Sequence, residues 1–340
     1  MNKLVPNDTA VGDIAVELRG VVKRFRQTQR LADPGGFLNN WLGGRFREVT
    51  ALNEVNLQVN HGEILAYAGP NGAGKSTTIK LLSGLLGPDQ GAVRVLGCDP
   101  IRDRVRYARR IGVVFGHRTE LWWDHPVAAS FEWKRVVWEI PKARYGNMVE
   151  LVREVLGLGD FFHSLARELS LGQRMRAELG LALLHQPELI FLDEPTIGID
   201  VLAKRSILEF LREWNRQRQV TVILTSHDMF ELEQLAGRMV LIDRGRIAFD
   251  GGFDRLRREY GDGRRLRIET DSEQPPLLTG AVHLRSMGCR HEYSFDNQVR
   301  PVLALLQEAS SQCAIRDVET LQPGIDEVIA GIYAKWRSGN

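Results

Sequence analysis

Gly69-Pro70-Asn71-Gly72-Ala73-Gly74-Lys75-Ser76 matches GxxxxGK[ST], and its neighbours suit it. An apolar strand-like run, EILAYA (63–68), precedes it, and a helical run, TTIKLLSGLL (77–86), follows it and stops at Gly87-Pro88. Strand, glycine-rich turn and helix in that order form a phosphate cradle. The glycines let loop amides turn inward, and the helix N-terminus presents the positive end of its dipole. Lys75 reaches the β and γ phosphates and Ser76 offers a hydroxyl to Mg²⁺. Gly69 to Ser76, with Thr77, are the expected nucleotide-binding residues.

A P-loop needs a carboxylate for its metal and a group to handle attacking water. Leu189-Ile190-Phe191-Leu192-Asp193-Glu194 supplies both at a strand end, with Asp193 toward Mg²⁺ and Glu194 as base. Further out, IGVVF (111–115), LIFLD (189–193) and VTVILTS (220–226) each follow a helical stretch and read as central strands of one open sheet. Helical patterns over 126–157 and 172–185 interrupt that core, and MVLIDRGRIAFDGG reads as a hairpin turning at Arg244-Gly245.

At the N-terminal side, IAVEL (14–18) and ALNEVNLQV (51–59) alternate as strands. Between them lies an insertion, about 27–48, with Pro34, two Gly-Gly pairs, Phe37, Trp41 and Phe46. From Arg19 to Arg47 there are seven basic residues against only Asp33. After the charged stretch RLRREYGDGRR (255–265) come expected strands at 265–269, 281–286, 291–295 and 313–318, with helices near 299–310 and 325–336. The expected fold class is therefore α/β: a P-loop NTPase core with N-terminal antiparallel strands and an α-helical subdomain (about 117–187) over residues 1–255. A small C-terminal α+β domain is expected over 262–340.

Composition narrows the function. At 340 residues the chain is long enough for about two domains. Its 45 Lys+Arg against 43 Asp+Glu leave +2, which argues against a protein that coats nucleic acid. No apolar run approaches the roughly 18 to 20 residues of a bilayer span. The first ten residues carry no secretory apolar stretch, and Cys98, Cys289 and Cys313 show no CxxC spacing, so a reducing cytoplasm is expected.

Leu169-Ser170-Leu171-Gly172-Gln173, 23 residues before Asp193, resembles the LSGGQ signature of ATP-binding subunits of ABC transporters. The likeness covers roughly residues 14–250. It implies that Ser170, Gly172 and Gln173 close over the γ-phosphate held by a second subunit, a role suited to small residues opening a helix. Asp200, in Pro195-Thr196-Ile197-Gly198-Ile199-Asp200, is similar to the D-loop aspartate that links the two sites. His227, in Thr225-Ser226-His227-Asp228, resembles the switch histidine that bonds the γ-phosphate, and Phe25 the aromatic that stacks on adenine. A core role beneath the insertion stays open for Phe25.

Two positions depart from that pattern. His117, in Val113-Val114-Phe115-Gly116-His117, stands where the family has a Q-loop glutamine that contacts metal and water; a neutral imidazole offers one lone pair, with a pH dependence glutamine lacks. Leu171 replaces a signature glycine, and its side chain is expected to face away from nucleotide.

The resemblance implies ATP and Mg²⁺ as cofactors, a homodimer, separate ABC-2 type transmembrane permease subunits and a peripheral location on the cytoplasmic face of the cell membrane. The segments Val113-Val114-Phe115-Gly116 and Leu121-Trp122-Trp123-Asp124, the insertion after Phe25 and the C-terminal α+β appendage together resemble ATPases of ABC-2 type exporters of drugs, antibiotics or other amphipathic compounds. That likeness implies export, with ABC import or a soluble non-transport ATPase as alternatives and no nucleic-acid partner. Four of the seven tryptophans, Trp122, Trp123, Trp133 and Trp138, fall within seventeen residues. Two or more are expected in the core of the helical section, with Trp122 or Trp123 lining a docking groove.

Overall fold

The alternating runs at the N-terminal side form long antiparallel arms. The structure, a computed structural model, describes residues 14–28, 46–116, 118–196, 198–226, 228–260, 264–296, 299–321 and 324–338. β1 (Ile14–Thr28) pairs with β2 (Phe46–Asn60) in a register running from Ile14–Asn60 to Thr28–Phe46. Both strands are longer than their apolar alternation indicates, because polar residues beyond the core continue the backbone ladder. The outer parts of the expected insertion, Gln27, Thr28 and Phe46 to Glu48, are therefore strand, while Phe37 and Trp41 lie outside the described residues. A third strand, β4 (Gln90–Val95), which the sequence reading omitted, pairs antiparallel with β1 and gives the order β2-β1-β4.

The second sheet has the order β5-β6-β7-β3-β8-β9. Its members are β3 (Ile64–Ala68), β5 (Ile111–Phe115), β6 (Leu189–Asp193), β7 (Thr221–Thr225), β8 (Arg238–Asp243) and β9 (Arg246–Gly251). The five from β5 to β8 run parallel. Every residue of β7 is buried, as a strand covered on both faces requires. Helix α1 (Lys75–Leu82) contributes Ile79, Leu81 and Leu82 to a core shared with Leu18 and Leu57 of the arms and Tyr67, Phe191 and Ile242 of the parallel sheet. The short α2 (Arg104–Ala108) precedes β5.

Between β5 and β6 lie α3 (Val127–Val137), α4 (Lys142–Val155) and α5 (Leu171–Leu183). α6 (Val201–Arg218) and α7 (Met229–Leu235) follow β6 and β7. Phe131, Val152, Leu179 and Leu183 bury the inner faces of α3 to α5. The tryptophans behave differently from the core expectation. Trp122, Trp123 and Trp133 are 38%, 47% and 40% exposed, and only Trp138 is half-buried, stacked on His185 at 5.1 Å.

The chain divides into two compact units, one ending at Asp250 and one starting at Gly251. The second contains α8 (Phe253–Tyr260), α9 (Val302–Ser310) and α10 (Ile325–Ser338) with β10 (Arg264–Thr270), β11 (Ala281–Met287), β12 (Arg290–Phe295) and β13 (Ile315–Leu321). Its antiparallel sheet has the order β11-β12-β10-β13. Leu266, Ile268, Tyr293 and Phe295 of the sheet bury Leu305 and Ala309 of α9.

Candidate functional site

Parallel strands end on one edge of the sheet, and their carboxyl ends collect the motif residues there. Gly69 follows β3 and Gly74 caps α1 with φ +118°. That left-handed backbone suits glycine, and a Cβ there would lie 2.8 Å from the Ala51 carbonyl oxygen. No side chain caps α1 and its first turn holds no acid, which leaves its leading amides available to an anion. Asn71, Gly72 and Ser76 are exposed at the mouth of this loop, and Pro70 and Thr77 are half-buried.

Lys75 is buried, and its ammonium donates to the carbonyl oxygens of Gly69 at 2.6 Å and Pro70 at 3.2 Å. Burial lowers its pKa, while the carboxylates of Glu194 and Asp193 act in the opposite direction. Asp193 and Glu194 stand two strands away, at the end of β6, with β7 between. Thr225, at the end of β7, holds both: its hydroxyl donates to Asp193 Oδ1 at 2.6 Å, and its carbonyl and hydroxyl oxygens accept the Glu194 amide at 3.1 and 3.2 Å. Glu194 takes φ +57°, a conformation costing on the order of 1–2 kcal/mol for a residue with a Cβ, and these two bonds hold it there. The Gly116 amide donates to the Asp193 carbonyl at 2.8 Å, which sets the end of β5 against the carboxylates.

Ser170 caps α5 in a reciprocal box. Its hydroxyl accepts the Gln173 amide at 3.2 Å and its own amide donates to Gln173 Oε1 at 2.9 Å. The Gln173 side chain is thus bonded to Ser170. Gly172 and Gly198 lie in close approach, since a Cβ on Gly172 would sit 2.7 Å from the Gly198 carbonyl oxygen. Leu171 is 46% exposed and packs on Gly198 through its branched end. Asp200 caps α6 by accepting the Ala203 amide at 2.9 Å, and that bond lowers its pKa. Phe25 is half-buried on β1, with Lys23 Nζ 5.7 Å above its ring. His117 and His227 lie outside the described residues.

Several residues in this region escaped the sequence reading. Glu231, 3% exposed on α7, accepts the Thr196 hydroxyl at 2.6 Å and the Ser226 hydroxyl at 3.3 Å, and pairs with Lys204 of α6. It ties the turn after Glu194 to the end of β7. Thr225 and Glu231 left one signal each, a hydroxyl closing an apolar strand and an acid between the apolar Met229 and Leu232.

Comparison with known proteins gives the family and the fold. A family model described as ABC transporter matches residues 52–197, and one described as an AAA domain matches residues 164–233. The chain is 30% identical over 208 residues to the bacitracin transport ATP-binding protein BcrA of Bacillus licheniformis, covering 61% of this chain and 67% of that protein. It is 34% identical over 206 residues to the sulfate/thiosulfate import ATP-binding protein CysA of Synechococcus elongatus, covering 60% and 58%. Against ABC transporter A family member 1 of Dictyostelium discoideum it is 32% identical over 245 residues, 72% of this chain but only 28% of that protein's length. A solved ATP-binding subunit of an ABC transporter shares the fold with a TM-score of 0.61 at 23% identity, covering 73% of this chain and 93% of that one. The chain belongs to the ABC transporter ATP-binding family and carries its ATPase domain.

Proposed function

We propose that two copies of this chain enclose two ATP molecules, hydrolyse them at their shared interface and drive export through separate ABC-2 type membrane subunits. The protein then works at the cytoplasmic face of the cell membrane. The observation that carries the reading is the setting of Lys75: a buried ammonium bonded to loop carbonyls, beside an uncapped helix N-terminus and in the field of two carboxylates.

The residues fit the groups. An incoming γ-phosphate offers Lys75 a charged acceptor better than two carbonyls, and the amides of Gly72 to Thr77 cradle the rest. The hydroxyl of Ser76 and the carboxylate of Asp193 are the hard oxygen donors that Mg²⁺ prefers, and they would hold it, with His117 assigned as a further ligand from its place in the sequence. Mg²⁺, when bound, offsets phosphate charge. Glu194 takes a proton from the attacking water, His227 donates to the γ-phosphate, and one face of Phe25 stacks on adenine. From the other copy, Ser170, Gly172 and Gln173 close over the γ-phosphate and Asp200 joins the two sites. ATP does work because its γ-phosphate stabilises the closed dimer more than ADP does.

Export requires a docking surface for the membrane subunit. Trp122, Trp123 and Trp133 are exposed, as are Val136 and Val137 one turn after Trp133 on α3, and the Trp122 and Trp133 rings are 5.5 Å apart. Rigid aromatics concentrate binding energy, and a cytoplasmic helix of the membrane subunit is the occupant we assign. Import is the second reading, favoured by the 34% identity to a sulfate import protein. ATP-driven uptake of cargo into vesicles bearing the chain on their outer face would support export, and ATP-driven loss of cargo from them would support import.

For the ATPase itself the test is Glu194→Gln. Turnover should fall about 100-fold or more, the contribution of a general base, while ATP accumulates in a stable dimer on size exclusion. Undiminished turnover overturns the assignment.

A further inference from the structure

The loop that carries Trp122 and Trp123 is bound to the helix that Ser170 caps. Glu178 lies two turns into α5 and is 6% exposed. Its Oε1 accepts the Thr119 hydroxyl, the Glu120 amide at 2.8 Å and the Leu121 amide at 3.3 Å. The Thr119 hydroxyl oxygen accepts the Leu121 amide at 3.1 Å and closes the knot. One turn earlier on the same helix face, the Arg174 guanidinium lies 4.5 Å over the Trp123 ring.

The segment leading into α5 grips the same loop. The Ala166 amide donates to the His125 carbonyl and the Arg167 amide to the Trp123 carbonyl, each at 3.0 Å, and Arg167 pairs with Asp124 at 2.8 Å. On the far side, the Trp122 amide donates to Ser130 Oγ at 2.9 Å and Glu120 pairs with Lys134 at 2.7 Å, both on α3. Burial raises the Glu178 pKa, so the carboxylate sits there at a desolvation cost that a leucine of similar size would not carry. Packing alone does not call for it; three converging donors do.

We propose that Glu178 is a positioning residue: it fixes residues 119–125 to α5, so that a load on Trp122 and Trp123 turns the N-terminus of α5 and carries Ser170 with it. The inference rests on the proposed ATP-dependent dimer, in which Ser170 closes on the partner's nucleotide. The Glu178 clamp is then the link between the docking patch and the closing of the dimer.

The test adds Glu178→Leu or Glu178→Gln to the full-length Glu194→Gln chain. Binding of a fluorescent ADP analogue reports the P-loop, and ATP-driven dimerisation is followed by sedimentation. Glu178→Leu should bind the ADP analogue as the parent does, yet need about tenfold more ATP to dimerise, the loss expected for a hydrogen bond to a charged group. Glu178→Gln keeps an amide oxygen for the three donors and should dimerise like the parent. In hydrogen exchange, amides 119–125 should lose protection in the leucine variant alone. Normal dimerisation by Glu178→Leu, or a defect in Glu178→Gln as large as that of leucine, overturns the proposal. If Glu178→Leu no longer binds the ADP analogue, Thr119→Val carries the same test, since it removes one donor and leaves α5 intact. A parent that stays monomeric with ATP overturns the dimer reading instead, before any variant is compared.

Discussion

Thr225 shows how much of this site depends on a residue with no motif of its own. It stands on β7, between the strand that ends in Asp193 and the strand that leads into the P-loop, and it bonds both Asp193 and Glu194. Thr225→Val keeps the shape and removes both hydroxyl bonds. The expected result is a loss of about tenfold in kcat with ADP affinity unchanged, since a hydrogen bond to a charged group is worth roughly 1.5–3 kcal/mol. Steady-state ATPase kinetics and ADP titration check it. His185 gives a second residue-level expectation. Burial, with Lys134 and Arg144 adding to it, lowers its pKa to about 4 from an ordinary 6.5. Its Nε2 bonds the Ile111 carbonyl oxygen at 2.8 Å and its Nδ1 is buried without a partner. As pH falls the unfolded chain binds this proton first, so stability is lost from about pH 6.5 down to about 4. The loss should be on the order of 1–2 kcal/mol by pH 5, allowing for the partial exposure of the ring. Urea unfolding at pH 7.5 and pH 5 measures it, and His185→Leu should flatten the difference.

At the scale of the element, α5 is set by its N-terminal cap and by a clamp in its interior. Its start is a capping box, and Ser170→Ala should cost about 1 kcal/mol of stability. That is too little to unfold the domain, so a larger loss of ATPase would report the contact of Ser170 with nucleotide. Comparing the urea midpoint with kcat separates the two. The helix was legible from LSLGQ and the apolar period after it, and its capping box could be read from the S-x-x-Q spacing alone. The clamp at Glu178 was not, although an acid among Met175, Leu179 and Ala182 marks a break in the apolar stripe. Its partners lie 57 to 59 residues earlier in the chain, and nothing local indicates them. The arms show the opposite error. Alternation located their buried halves, but β1 and β2 run on into polar sequence because ladder hydrogen bonds need no apolar side chain.

At the scale of the whole molecule, two of the cores among the described residues have separate memberships. One joins Ala15 to Ile242 across both sheets, and the other is confined to Leu266 to Ala309. A chain cut after Asp250 should therefore fold and bind ADP with unchanged affinity, as tested by thermal unfolding and ADP titration. Failure to fold would show that the first unit depends on the second. Among the described residues no helix is long and apolar enough to cross a membrane. Spacing along the chain was enough for the P-loop, the Asp193-Glu194 pair, the signature and the individual strands of the parallel sheet, because each rests on neighbours within about a dozen residues. The bonds of Thr225 to Asp193 and Glu194, the strained backbone of Glu194, the exposure of the tryptophans and the clamp at Glu178 came only from the fold. Each of these depends on which distant segments lie side by side, and burial and pairing are properties of that arrangement rather than of any one stretch.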